Sequence, residues 1–239
     1  MMKIDFNQIH PPPGAVLDVR GVHIAANPPY DAAMHDVSFS IQPGELVLIY
    51  LDIGTEEHPL ADLISGLIQP EAGDLRIFGH GWSQWSPDIQ ARARSKIGRV
   101  FAGQGWISNL DVDENVTIAE RHHTRRPLDE IHAEAKMLAH LAGLAAIPQT
   151  RPPVTDQEEL RRAEWVRAAL GSPWLMVMER PGFGLAEGWL APLKQLIQHV
   201  RSRGTAIIWM CDSEDEWNDV SLNPSLKLNQ EGNKLTRVL

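Results

Sequence analysis

Apolar and polar residues alternate along two early stretches, Val16–Ile24 and Asp36–Ile41, which predicts two strands of an antiparallel edge sheet. Gln42–Glu45, "QPGE", is a turn. Glu45–Tyr50, "ELVLIY", then runs almost without a polar break, as a strand covered on both faces does. Pro173–Met178 and Gly204–Cys211 share that character. Helical spacing marks Pro59–Leu67, with Pro59 in the first turn where a missing N–H costs least, and Ala191–Arg203. Pro70–Gly79 reads as a turn and a strand. Asp88–Lys96, Leu128–Ala142 and Gln157–Leu170 are polar, rich in alanine and helical in period. The last residues, "SLKLNQEGNKLTRVL", predict a hairpin around a Glu-Gly turn. Buried strands alternating with helices predict an α/β fold on a parallel sheet. The chain divides into an arm (1–15), a core with a β edge (16–85 and 171–239) and a helical subdomain (86–170).

Composition narrows the function classes. A content of 43% hydrophobic and 22% charged residues is that of a globular protein. No apolar run reaches the ~18 residues of a membrane-spanning helix. The opening "MMKIDFNQIHPPPG" has one lysine and no apolar segment, so a partly loose arm is expected rather than a secretory signal. The lone cysteine, Cys211, excludes an internal disulfide and fits a reducing compartment. A net charge of −9 argues against non-specific binding to nucleic acid or anionic lipid.

Five segments, in order, resemble the ATP-binding subunit of an ABC transporter: "HDVSFSIQPGELVLI", "LADLISGLIQPEAGDLRIFGH", "IGRVFAGQGWISNLDVDENV", "VRAALGSPWLMVMERP" and "GTAIIWMCDSEDE". They look like the opening strands, the helix and strand after the phosphate loop, the Q-loop segment, the signature helix running into Walker B, and the strand that ends at the switch histidine. The resemblance spans about Val16 to Leu239. It implies a P-loop NTPase-like (ABC ATPase) core with an antiparallel edge sheet and a helical subdomain. It also implies a cytoplasmic position, peripheral to the inner or plasma membrane. The implied partners are an integral membrane transporter subunit and a second ABC ATPase or a second copy of the chain, with no nucleic acid. One segment, Trp106–Thr124, is similar to ATPase subunits of Mla/Mce-type lipid-trafficking systems.

The resemblance covers the scaffold and departs at the chemistry. A phosphate loop uses glycines to aim N–H groups at phosphate, a lysine on the outer phosphates and a hydroxyl on Mg²⁺. Here Leu51 and Glu56 stand at glycine positions, Glu57 at the lysine and His58 at the hydroxyl, with Gly54 between. An opposite charge pair near 4 Å is worth about 4 kcal/mol at an effective dielectric near 20, and a glutamate turns it into repulsion of similar size. The Q-loop glutamine position holds Ala102, with Gln104 two residues on. The signature reads Asp156, Gln157 and Glu158, where Asp156 is still a good N-cap. Glu179 stands at the Walker B aspartate and Asp212 at the switch histidine. Arg180 stands at the general base, and a guanidinium accepts no proton at pH 7. Tyr30 lies near the adenine-stacking position but two residues out of register.

The expectation is a catalytically degenerate subunit, with no catalytic residue and no cofactor. ATP and Mg²⁺ enter only under the alternative, an active ATPase subunit. A soluble regulatory dimerisation module is the third reading. Asp52, Glu56, Glu57, Glu179, Asp212 and His58 have the chemistry of a cation site, but a solvated acidic cleft is the simpler reading and no metal is expected. His122 and His123 read as surface residues, and Trp165, Met176, Trp209 and Cys211 as core. Trp106, Ile107 and Leu110 stand where the family meets its membrane subunit; packing against the helical segment is the competing account.

Overall fold

The structure, a computed structural model, describes residues 11, 13–27, 29–30, 33–52, 58–103 and 105–238. Its elements run β1 (Leu17–Ile24), β2 (Met34–Ile41), β3 (Leu46–Tyr50), α1 (Pro59–Ile64), β4 (Ala72–Ile77), β5 (His80–Gly81), α2 (Pro87–Arg94), β6 (Ile97–Val100) and α3 (Val112–His123). They continue with α4 (Leu128–Leu141), α5 (Gln157–Ala169), β7 (Leu175–Glu179), α6 (Leu190–Ser202), β8 (Ala206–Cys211), α7 (Glu214–Asn218), β9 (Leu226–Glu231) and β10 (Lys234–Val238).

Two sheets form. An antiparallel one has the order β2-β1-β4-β5. The central one has the order β10-β9-β3-β8-β7-β6; β9, β3, β8, β7 and β6 are parallel, and β10 closes the edge as an antiparallel hairpin. The uninterrupted apolar runs are the buried strands of this sheet, because each of its faces has its own core. Val47, Ile49, Val177 and Ile208 pack with α1 and the antiparallel sheet. Leu46, Leu48, Met176 and Trp209 point the other way, into the helices α3 to α6. The alternation of side chains along a strand sends neighbours into different cores. Trp165, Met176, Trp209 and Cys211 are buried as expected.

The 86–170 segment differs from its reading as helical. It contains β6, which pairs in parallel with β7 (Ile97 opposite Leu175) and so belongs to the central sheet. Three half-buried residues and one buried valine in a polar context give no clear periodicity. Gly98 on this strand has a packing reason: a Cβ there would lie 1.8 Å from the Ala168 carbonyl oxygen, so only glycine lets β6 approach α5 this closely. Helix α3 was also missed, although Asp111 and Glu114 carry a capping signature, and the Glu114 carboxylate accepts the Asp111 N–H at 2.9 Å. Among the described residues no helix is long and apolar enough to cross a membrane.

Candidate functional site

The parallel strands β3, β7 and β8 end side by side, and the residues just past their C-terminal ends form the position where a ligand binds in open α/β sheets. Leu51 follows β3 and is buried, with its N–H on the Cys211 carbonyl at 2.8 Å. Asp52 turns toward the β9–β10 hairpin: its N–H donates to Gln230 Oε1 at 3.2 Å and its Oδ2 accepts from the Gly232 N–H at 2.8 Å. Gly54, Glu56 and Glu57 lie outside the described residues, as does Gln104.

His58 caps α1. It is 5% exposed, and its Nδ1 accepts the Leu60 N–H at 3.2 Å. An accepting Nδ1 leaves the proton of the neutral ring on Nε2, which is buried without a hydrogen-bond partner. Burial, with the nearby Arg180 charge second, holds this imidazole down at a pKa of about 4. The position expected to present a hydroxyl to Mg²⁺ therefore holds a neutral ring whose free lone pair caps the helix.

An unforeseen arginine dominates the floor. Arg99, at the third position of β6, forms ion pairs with Asp62 on α1 and with Glu179 at the end of β7. Its side chain and that of Glu179 are each 10% exposed. Burial opposes the Arg99 charge, but the two carboxylates more than offset it and raise the guanidinium above its ordinary pKa. Its guanidinium carbon also lies 4.6 Å from the centre of the Phe101 ring. Tyr30 donates its hydroxyl to Asp62 at 2.7 Å. Glu179, at the metal-side position, is thus already the partner of a buried protein cation.

Arg180 and Asp212, read separately as a lost base and a lost switch histidine, meet. Arg180 Nε lies 2.7 Å from Asp212 Oδ2, across the ends of β7 and β8. Arg180 takes a left-handed backbone, φ 43°, with its N–H on the Met210 carbonyl at 2.9 Å. Behind this pair, Glu216 on α7 is buried and accepts Trp209 Nε1–H at 2.6 Å. Burial pushes its pKa up to about 7.

The signature residues lie on another element, the N-terminus of α5. Asp156 Oδ1 accepts the N–H groups of Glu158 at 2.9 Å and Glu159 at 3.2 Å, so the first-turn donors that a phosphate would use are occupied. Asp156 and Gln157 are exposed. Glu158 pairs with Arg162 at 2.6 Å.

Further along α5, a buried triad pins the segment that carries Ala102 and Trp106. Glu164 is fully buried between Arg161 at 2.8 Å and Arg167 at 3.0 Å. Arg161 donates to the carbonyls of Phe101 at 2.8 Å and Ala102 at 3.3 Å, and Arg167 to that of Gly105 at 2.5 Å. Arg167 also stacks over Trp106, 4.5 Å from the ring centre. Trp106 therefore packs largely inward. Asn115 holds the turn that follows, accepting the Ile107 N–H at 2.9 Å and donating to the carbonyls of Ile107, Leu110 and Asp111. Leu110 is half-buried, and Ile107 alone of the three apolar residues is exposed, at 45%.

Sequence reading missed Asp62, Arg99, Arg161, Glu164 and Arg167. "RRAEWVR" looks like a solvated helix face; the i,i+3 charge spacing was its one available signal. Nothing local tells that Arg99 reaches two other elements. Asp52, Glu179 and Asp212, the described carboxylates of the candidate cation cluster, turn to three different protein partners. Among the described residues no group of three or more metal-binding side chains converges. At the described positions that the resemblance assigns to metal and nucleotide, Glu179 is paired with Arg99, Arg180 is a cation paired with Asp212, and Asp156 occupies first-turn N–H groups of α5, an arrangement that does not fit Mg²⁺ and nucleotide.

No family model matches the chain. It is 26% identical over 199 residues to the pyoverdine export ATP-binding/permease protein PvdT of Pseudomonas aeruginosa, an alignment covering 83% of this chain and 30% of that protein. The PvdT protein of Pseudomonas entomophila is also 26% identical, over 80% of this chain and 29% of that protein. The chain thus spans under a third of the length of these relatives. Among solved structures, the ATP-binding subunit of an ABC transporter superposes with a TM-score of 0.78 at 16% identity, covering 93% of this chain and 89% of that one. The dimeric bacterial ABC transporter cassette MJ0796 superposes with a TM-score of 0.80 at 18% identity, covering 92% and 97%.

Proposed function

From a chain that has the fold of ABC transporter ATP-binding cassettes and is similar to them in sequence, we propose a catalytically silent subunit with a structural or regulatory role in a membrane transport complex. One observation carries the reading: the groups at the catalytic positions are neutralised by one another. Arg99 serves Glu179, and Arg180 serves Asp212. A Mg²⁺-bound triphosphate would have to displace Arg99 from a carboxylate that is 10% exposed, and separating such a buried pair costs about 3–5 kcal/mol. Micromolar binding amounts to only about 8 kcal/mol in all. The partners of this reading are a membrane subunit and a second cassette, either another chain or a second copy. Ile107 is the exposed apolar residue on the side expected to meet the membrane subunit. Lipid cargo is supported by the Trp106–Thr124 segment only.

The test is equilibrium dialysis with labelled ATP and Mg²⁺, alongside a phosphate-release assay. No saturable binding below about 1 mM and no turnover above background are expected; stoichiometric micromolar binding would overturn the reading. Glu57→Lys alone should restore nothing, because Arg180 still offers no base. When the chain is paired with an intact cassette, its altered loop and altered signature leave neither composite site complete. The mixed dimer should turn over at less than roughly a tenth of the intact homodimer's rate. A rate equal to the homodimer's would show that the signature has been misplaced.

A further inference from the structure

At the opposite end of the central sheet, where the parallel strands begin, lies a groove of about 1040 Å³. Lys96 precedes β6, Ser172 precedes β7 and Arg203 precedes β8, so these lining residues stand at the N-terminal strand ends, away from Glu179, Arg180 and Asp212. The C-terminal end of α3 and the loop into α4 form the other wall.

The charge of this groove opposes that of the chain. Five lining side chains are cationic and two are anionic, in a protein of net charge −9. Both carboxylates are already served: Arg126 binds Glu120 at 2.9 Å and Glu134 at 2.7 Å. That leaves Arg92, Lys96, Arg125 and Arg203 with no carboxylate partner among the described residues. They come from α2, the turn after it, the α3–α4 loop and the end of α6, so chain folding gathers them from four places. Gly171 lines the groove with φ 78°, and a Cβ there would lie 2.0 Å from Glu120 Oε1. His122 and His123 stand at the rim, and both are exposed.

We propose that this groove binds a soluble small molecule bearing two or more phosphate groups, held by Lys96, Arg125, Arg92 and Arg203. Guanidinium groups bind phosphate through paired N–H donors and lysine binds it as a point charge. The volume is that of a small-molecule site rather than of a protein-protein contact face. Its concavity, on a chain that is acidic elsewhere, also disfavours a flat anionic bilayer. The proposal does not rest on the catalytically silent reading, since it uses the other end of the sheet.

The probe is sodium triphosphate without Mg²⁺, titrated into the full chain by calorimetry at low salt. Saturable one-site binding is expected, weakening with added salt. Arg125→Gln and Lys96→Gln should each weaken it by about tenfold. Arg76→Gln should leave it unchanged, because Arg76 is an exposed cation on the antiparallel sheet, paired with Asp74. Circular dichroism of each variant reports that it has folded; if either groove variant unfolds, protection of the Arg125 and Lys96 side chains from chemical modification by triphosphate in the unaltered chain replaces it. No saturable binding, equal weakening by Arg76→Gln, or no protection would overturn the proposal. So would binding confined to phosphatidylglycerol vesicles or to an acidic peptide, with triphosphate ignored.

Discussion

The two ends of the central sheet carry similar residue types and opposite bookkeeping. At the C-terminal strand ends every described cation of the floor has a carboxylate: Arg99 has Asp62 and Glu179, and Arg180 has Asp212. At the N-terminal ends, cations outnumber carboxylates and four of them pair with none among the described residues. An end whose charges are internally satisfied gains little from a ligand, whereas an end with unspent charge gains from any polyanion that fits. The end where open α/β sheets bind their ligands is thus the one whose described cations already have carboxylate partners.

The largest test of this contrast removes the cation that closes the first end. Arg99→Met should leave Glu179 and Asp62 without their buried partner and cost about 3–5 kcal/mol in urea unfolding. The double variant with Glu179→Met should recover part of that, since the more buried of the two carboxylates is gone and Asp62 keeps the Tyr30 hydroxyl. Arg125→Met at the other end, exposed and without a carboxylate, should change stability by no more than about 0.5 kcal/mol. Equal losses from Arg99→Met and Arg125→Met would break the comparison.

Two buried titrating groups at the closed end give slopes of opposite sign. Glu216 is raised from 4.5 to about 7 by burial, so its stability contribution is fully present below pH 4.5 and is lost as pH rises through about 7. His58 is lowered from 6.5 to about 4, so its contribution is present above pH 6.5 and is lost as pH falls toward about 4. Each swing is at most about 3 kcal/mol, and in the unaltered chain they oppose each other between pH 4.5 and 6.5. Glu216→Gln should therefore expose a stability that rises with pH over that interval, and His58→Gln one that falls. Chemical denaturation at pH 4.5, 5.5 and 6.5 reads both; parallel slopes in the two variants would refute the assignment.

Smaller still is the Arg180–Asp212 pair. With Asp212 39% exposed, Asp212→Asn should cost no more than about 1 kcal/mol in thermal unfolding. Like Arg125→Met, Ile107→Asp should change stability by no more than about 0.5 kcal/mol, since the side chain is 45% exposed. That variant should nevertheless weaken co-purification with the membrane subunit if the contact lies there. Unchanged recovery would assign Ile107 to the free surface.

The legible parts of this molecule were those in which a residue's neighbours in sequence set its role. Three apolar runs announced β3, β7 and β8, because strands buried on both faces need no alternation. Asp156 was readable as an N-cap from its place before a helical period, and it caps α5. Strand β6 was not readable, since its four residues are mostly half-buried and its pairing depends on β7, some 75 residues later. The candidate site divides in the same way. Glu179, Arg180 and Asp212 were singled out by their frame in the sequence, but whom they pair with could not be read there.

The sequence by itself determined the alternation of buried strands and helices and the antiparallel edge. Those features follow from periodicity and from the chemistry of single side chains, both of which are local. Only the tertiary structure decided that Arg99 of β6 would join Asp62 of α1 to Glu179 of β7, that Arg180 and Asp212 would meet, and that four cations from separate elements would share one groove. Charge acts through space, and its energy is set by distance and burial that only the packed chain defines.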